Sequence, residues 1–339
     1  MTGRKGLAEA GQLTPSPWGN FNYNPQVYSI QEYDPKVEIY WKDLGNERQV
    51  FRTLFSIHRP LALKGPTGTG KTTFTRKMHQ ELGAELGKEK FTPQYVFDEK
   101  SGLYVKDKDK DEKEAGENKR APFFPLYIID GTEDTEAVHI LGGYNTEGKF
   151  IGGPMYHWAH TGGILLVNEI AELRGDVQTI FHSPLDKERT VWIPDLARLV
   201  KLPDHAMLVA AYNPGYQTKR RALKISTKQR LPALDFTYPA VDVEAEIVYH
   251  ASKIGEQEVE IEIAKKLAAL ANRIRSEDKE KSILASREGV STRLLVMAAE
   301  MIAAGTSTAD ACRAAIISPL SNSDKEAEAL EAIVTMCGL

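Results

Sequence analysis

Gly65-Pro66-Thr67-Gly68-Thr69-Gly70-Lys71-Thr72 fits the pattern G-x-x-x-x-G-K-[ST] at every fixed position. Residues 60–64 before it read as a short buried strand, and residues 72–82 after it as a helix. Glycines let the backbone curl so that its N–H groups face a polyphosphate. The helix N-terminus adds positive partial charge. The expected binding set is Gly65, Pro66, Thr67, Gly68, Thr69, Gly70, Lys71, Thr72 and Thr73. Lys71 is expected to reach the β- and γ-phosphates of ATP, and the Thr72 hydroxyl to ligate Mg²⁺. The competing reading is a Gly-rich turn with a chance lysine. It leaves the strand before and the helix after as coincidence.

A second group of residues lies downstream. Gly162-Gly163-Ile164-Leu165-Leu166-Val167-Asn168-Glu169 is an apolar strand ending in two polar residues. A nucleotide hydrolase places its second acidic motif there. Glu169 is expected to polarise the attacking water as general base. The preceding position, normally an aspartate beside Mg²⁺, is Asn168. An amide keeps the acceptor oxygen, loses the charge, and gains an NH₂ that faces a cation badly. Asn168 is therefore expected to act on the metal through water, with more of the binding left to Thr72 and the phosphates. Asp130, at the end of a neighbouring candidate strand, is a candidate for electrostatic compensation. The alternative for Asn168-Glu169 is a strand terminus capping the next helix.

Three more side chains complete the candidate set. Asn213 ends the apolar run 207–212 and is a candidate sensor of the γ-phosphate or lytic water. The alternative is a turn-forming Asn before Pro214. Arg230 is a candidate to cross a subunit interface and stabilise charge on the γ-phosphate. Arg293 opens a helix that Ser291 or Thr292 would cap, so it is a candidate to face the nucleotide from a lid. The alternative for Arg230 is a surface salt bridge, and for Arg293 an ordinary surface arginine.

The elements needed to hold these residues alternate between strand and helix. Candidate strands are 60–64, Leu126–Asp130, 163–167 and 207–212, each followed by polar or Gly-rich residues. That order predicts an α/β fold with a mainly parallel sheet covered on both faces. In such sheets the ligand crevice lies beyond the strands' carboxyl ends. Residues 46–240 form the expected core. Residues 241–339 read as a small all-helical lid, with helices at 243–252, 258–276, 291–304, 308–318 and 324–336. Residues 1–45, rich in Pro, Asn, Gly and Tyr, read as an extended arm over a neighbouring surface. An insertion at about 91–125 carries a hairpin, 94–105, then a run, 106–120, with six basic and six acidic residues. That run reads as a solvated loop. Further hairpins are expected at 186–204 and 141–154. The second offers Tyr144 and Phe150 as grip residues if the loops line a pore.

Composition narrows the function. The chain has 339 residues, 42% hydrophobic and 27% charged, with a formal net charge of -4. No global basic field invites nucleic acid. Cys312 and Cys337 lack metal-ligand spacing, which suits a reduced, cytoplasmic protein. No apolar run approaches a membrane span.

The order of motifs resembles the AAA+ ATPases of the MoxR type, nearest the CbbQ/NirQ/NorQ branch. The residues carrying the resemblance include Lys64-Gly65-Pro66-Thr67-Gly68, Gly153-Pro154-Met155, and above all Tyr212-Asn213-Pro214-Gly215-Tyr216-Gln217. Ser226-Thr227-Lys228-Gln229-Arg230, Glu244-Ala245-Glu246-Ile247-Val248 and Ser291-Thr292-Arg293 are similar too. The resemblance implies a P-loop AAA+ core with a helical lid. It also implies a ring, usually a hexamer, with ATP between subunits and Arg230 acting on a neighbour's nucleotide. It further implies a partner with a von Willebrand factor A domain and a metalloenzyme client such as Rubisco or nitric oxide reductase. Three departures stand out. Asn168 replaces the family's aspartate, Lys228 and Leu231 depart from its Ser-Thr-Arg-Gln-Arg-Phe, and the charged insertion is unusual.

Two other functions compete with a protein-remodelling motor. Lys219-Arg220-Arg221 motivates a motor acting on nucleic acid. Asn168 motivates a scaffold that binds ATP and hydrolyses it weakly.

Overall fold

The computed structural model describes residues 28–31, 34, 36, 38–86, 95–98, 103–106, 124–216, 222–281 and 289–339. The charged run from residue 107, the basic cluster 219–221 and the first 27 residues lie outside these.

The strands in chain order are β1 Tyr28–Gln31, β2 Leu61–Lys64, β3 Tyr95–Asp98, β4 Leu103–Lys106, β5 Leu126–Asp130, β6 Gly142–Tyr144, β7 Phe150–Gly152, β8 Gly163–Asn168, β9 Thr190–Ile193, β10 Arg198–Lys201, β11 Ala206–Tyr212 and β12 Ala233–Asp235. Six form one sheet in the order β1-β5-β8-β11-β2-β12. All its pairings are parallel except β1 with β5. The other strands form the hairpins β3–β4, β6–β7 and β9–β10.

The central strands are continuous apolar runs because both sheet faces are covered. β11 is buried along its whole length. Successive side chains alternate between two cores. Tyr127, Ile129, Leu165, Val167 and Leu208 pack with Tyr156, Trp158 and Phe181 on one face. Leu126, Ile128, Ile164, Leu166 and Val209 pack with Phe51, Phe74 and Met78 on the other. Phe74 and Met78 belong to helix Lys71–Leu86, whose first residue ends the phosphate loop.

The C-terminal helices enclose a third core that includes Leu267, Leu270, Ile274, Leu295, Ile316 and Leu330. They run Val241–Ala251, Ile261–Lys281, Thr292–Ala303, Thr308–Cys312 and Asp324–Met336. Between the last two, Arg313–Ile317 is a π-helical turn. Cys312 is fully buried, which pushes its thiol up to about 11 and leaves it unreactive.

One expectation needs correction. Phe150 is not a grip residue: it is 1% exposed and packs edge-on against Tyr156 in the core. Tyr144 stays exposed beside it. The end of the N-terminal arm lies on this chain's own surface. β1 completes the sheet edge, Tyr40 stacks on His250, and Lys42 pairs with Glu246 at 2.7 Å. The β9–β10 hairpin lays one face on the core through Val191, Ile193 and Val200 and turns Trp192 and Leu199 outward, opposite each other and 49% and 61% exposed.

Candidate active site

Strand order decides what meets at the carboxyl ends. β2 delivers the phosphate loop, β11 delivers Asn213, β8 delivers Asn168 and Glu169, and β5 delivers Asp130. β11 pairs with both β2 and β8, and β5 with β8, so these ends stand side by side.

The loop is tightly bound to its surroundings. Gly65 N–H donates to Tyr212 O at 3.2 Å. A Cβ on Gly65 would collide with the Phe236 carbonyl, so only glycine lets β12's end approach. Gly68, at φ +74°, lies under the lid: a Cβ there would meet Ser291 Cβ at 2.6 Å and Arg293 Cβ at 3.5 Å. Lys71 is buried, its Nζ donating to Gly65 O at 2.8 Å and Pro66 O at 2.7 Å. The Thr69 hydroxyl donates to Pro66 O at 2.9 Å. Thr73 turns its side chain to a cavity of about 410 Å³ that Arg76 and His79 also line. What it can offer a nucleotide is its main-chain N–H.

Thr72 Oγ1 donates to Asn168 Oδ1 at 3.2 Å, and Asn168 Nδ2 donates to Asp130 Oδ1 at 2.8 Å. Glu169 follows in the left-handed region at φ 48°, an uncommon conformation for a residue with a Cβ. Asn213 is 4% exposed, and its Oδ1 accepts from Gly215 N–H at 2.9 Å. The turn role raised for Asn213 is therefore present at the strand end as well.

Arg230 lies on a separate patch. Its Nε donates to Asp186 Oδ1 at 2.8 Å and its Nη1 to Ser226 O at 2.8 Å. Its charge adds to burial in pushing the neighbouring His182 imidazole below its ordinary value. Arg293 is exposed on the first turn of helix Thr292–Ala303. Ser291 is the capping residue, accepting from Leu294 N–H at 3.4 Å.

Several positioning residues escaped sequence reasoning. Tyr238 O–H donates to Thr67 O at 3.1 Å, and the Arg275 guanidinium stacks 3.8 Å over the Tyr238 ring. Arg275 makes two 2.8 Å bonds to Glu244, which is fully buried and also accepts from the Thr292 hydroxyl. This chain of contacts joins the loop to the lid. Trp41 packs on Phe74 and Phe236 beside Gly70, and its Nε1–H donates to Glu47. Gly131 N–H donates to Asn168 O at 2.9 Å, holding the ends of β5 and β8 together. Isolated Tyr, Arg and Glu residues carry no pattern that announces such pairings across long separations.

Comparison with known proteins places this arrangement. Residues 120–231 match the model of an AAA domain of the dynein-related subfamily, and residues 244–337 match the CbbQ/NirQ/NorQ C-terminal model. Protein CbbQ of Hydrogenophilus thermoluteolus is 32% identical over 86% of this chain and 92% of its own length. The chain belongs to the CbbQ/NirQ/NorQ family of AAA+ proteins. The denitrification regulatory protein NirQ of Pseudomonas aeruginosa is 30% identical over 88% of this chain and 96% of its length. Protein NorQ of Paracoccus denitrificans is 31% identical over 82% and 86%. Glu169, Asn213 and Arg230 fall within the AAA match and Arg293 within the CbbQ/NirQ/NorQ match; the phosphate loop lies upstream of both. Among the described residues no helix is long and apolar enough to cross a membrane.

Proposed function

We propose that this protein is a Mg-ATP-hydrolysing motor that remodels or activates a protein client. The observation that carries the reading is the convergence at the carboxyl ends of the central strands of Lys71, Thr72, Asn213, Asn168 and Glu169, with Arg293 above Gly68. The loop's N–H groups and Lys71 bind phosphate, and Lys71 exchanges its two loop carbonyls for phosphate oxygens. The donor set suits Mg²⁺: the Thr72 hydroxyl directly, the Asn168 carbonyl oxygen through water. When bound, the metal neutralises charge on the phosphates. Glu169 takes the proton of the attacking water, and Asn213 orients that water or the γ-phosphate.

Arg230 belongs to the interface in this reading. Its polar contacts are to Asp186 and Ser226, so its guanidinium is presented at a surface distinct from its own loop. In this reading the subunits form a ring in which Arg230 completes the neighbour's pocket. The likeness to a denitrification regulatory protein supports a regulatory role; the partner with a von Willebrand factor A domain and the metalloenzyme client are what the family resemblance implies. The exposed Trp192 and Leu199 on the β9–β10 hairpin are suited to client contact.

The test is Mg²⁺-dependent ATP turnover as a function of protein concentration. Turnover should rise more steeply than linearly until rings form, and collapse in Lys71→Ala and Glu169→Gln. Normal turnover in Glu169→Gln removes the assignment of that carboxylate. Asn168 favours a second reading, an ATP-binding scaffold with weak hydrolysis. That reading expects Asn168→Asp to gain rate.

A further inference from the structure

We propose that Asp130 is the positioning residue of the cation site, locking the Asn168 amide with its oxygen toward Thr72 and supplying from β5 the negative charge that Asn168 lacks. The proposal rests on the reading that this loop holds a magnesium nucleotide.

The chemistry of the contact forces the orientation. An amide has one accepting end and one donating end, whereas an ionised carboxylate only accepts. Asp130 and Asn168 are register partners of β5 and β8, with Asn168 Nδ2 2.8 Å from Asp130 Oδ1. Turning the amide over would set two oxygens against each other and aim an NH₂ at Thr72. The charge-assisted bond therefore selects one rotamer. In that rotamer Oδ1 accepts from the hydroxyl of Thr72 at 3.2 Å. Thr72 Oγ1 thereby spends its proton on Asn168 and keeps its lone pairs for a cation.

The backbone keeps the pair in place. Gly131 N–H bonds to Asn168 O, and a Cβ on Gly131 would meet the Asn168 and Glu169 carbonyl oxygens at 2.9 and 2.8 Å. The next residue must be glycine for Asp130 to come this close. The acidic function is thus divided across two strands: the oriented acceptor on β8, the charge on β5.

The experiment titrates a fluorescent ADP analogue in EDTA and in Mg²⁺, with Mn²⁺ binding to the complex followed by electron paramagnetic resonance. The readout is the ratio of the two nucleotide affinities. In Asp130→Ala the ratio and the Mn²⁺ affinity should fall roughly 10- to 100-fold, while affinity in EDTA holds. Asp130→Asn should fall less, because its carbonyl still orients the amide. Asn168→Asp alone should bind Mn²⁺ with an altered spectrum. The double exchange Asp130→Asn with Asn168→Asp should restore the ratio, which a merely structural role for Asp130 would not do. A ratio unchanged in Asp130→Ala, or an exchange variant as weak as Asp130→Ala, overturns the proposal. If the wild-type protein binds no nucleotide in either EDTA or Mg²⁺, the underlying reading falls and takes this one with it.

Discussion

Two carboxylates in this molecule live under opposite rules. Glu244, at the base of the lid, is fully buried and satisfied from within by Arg275 and Thr292. Asp130, at the end of β5, is exposed and makes its contact with one amide whose other end faces the phosphate loop. A fully buried carboxylate whose two oxygens both accept from an arginine within the fold is closed to a ligand, and removal of its partner is felt as lost stability. A polar cluster at open strand ends is under less structural obligation and retains capacity for a ligand. The contrast separates the hinge of the lid from the chemistry of the strand ends.

The comparison implies that strand-end and interface variants lose function at near-normal stability, whereas lid-base variants lose stability first. The largest effect is expected at Arg230. Its replacement by alanine should cut turnover by about 10³- to 10⁵-fold, with nucleotide affinity and melting temperature nearly unchanged; steady-state kinetics and calorimetry check both halves. Glu169→Gln should lower single-turnover hydrolysis by about 10²- to 10⁴-fold and leave binding intact. Arg275→Ala strands the buried Glu244 charge and should cost about 3–5 kcal/mol in chemical denaturation. Wild-type stability in that variant would dissolve the contrast.

The smallest effect per residue is a pH dependence that belongs to the core. Burial pushes His79, His157 and His160 down to about 4. Unfolded, each titrates near 6.5, so between those values the unfolded chain carries more protons. Stability is therefore complete above about pH 6.5 and falls as pH drops toward 4. By linkage each histidine costs about 2 kcal/mol at pH 5. Denaturant midpoints from pH 7 to 5 should fall, and His79→Gln should flatten the curve.

Much of the fold could be read because the strands that matter are short, apolar and buried on both faces. Leu126–Asp130 was placed at its observed bounds, and 207–212 within one residue of β11. The lid helices followed from their periodicity. β1 and β12 went unread: runs of four and three residues are too short to carry a periodic signal in the sequence. Phe150 was misplaced for a related reason. A glycine-flanked aromatic looks the same in sequence whether it points to solvent or into the core.

What the sequence by itself determined is the chemical inventory. The phosphate loop is a local device, its spacing dictated by one turn and one helix start. The apolar runs dictate a covered parallel sheet, and Asn168 with Glu169 declares a departure from the usual acidic pair. The tertiary structure alone decided the partners. Which way the Asn168 amide faces depends on Asp130, 38 residues away and brought alongside by β5–β8 pairing. That Tyr238 and Arg275 tie the loop to Glu244 depends on how the lid seats. An amide's orientation and an ion pair's partner are set by what stands opposite in space, and no local spacing encodes that.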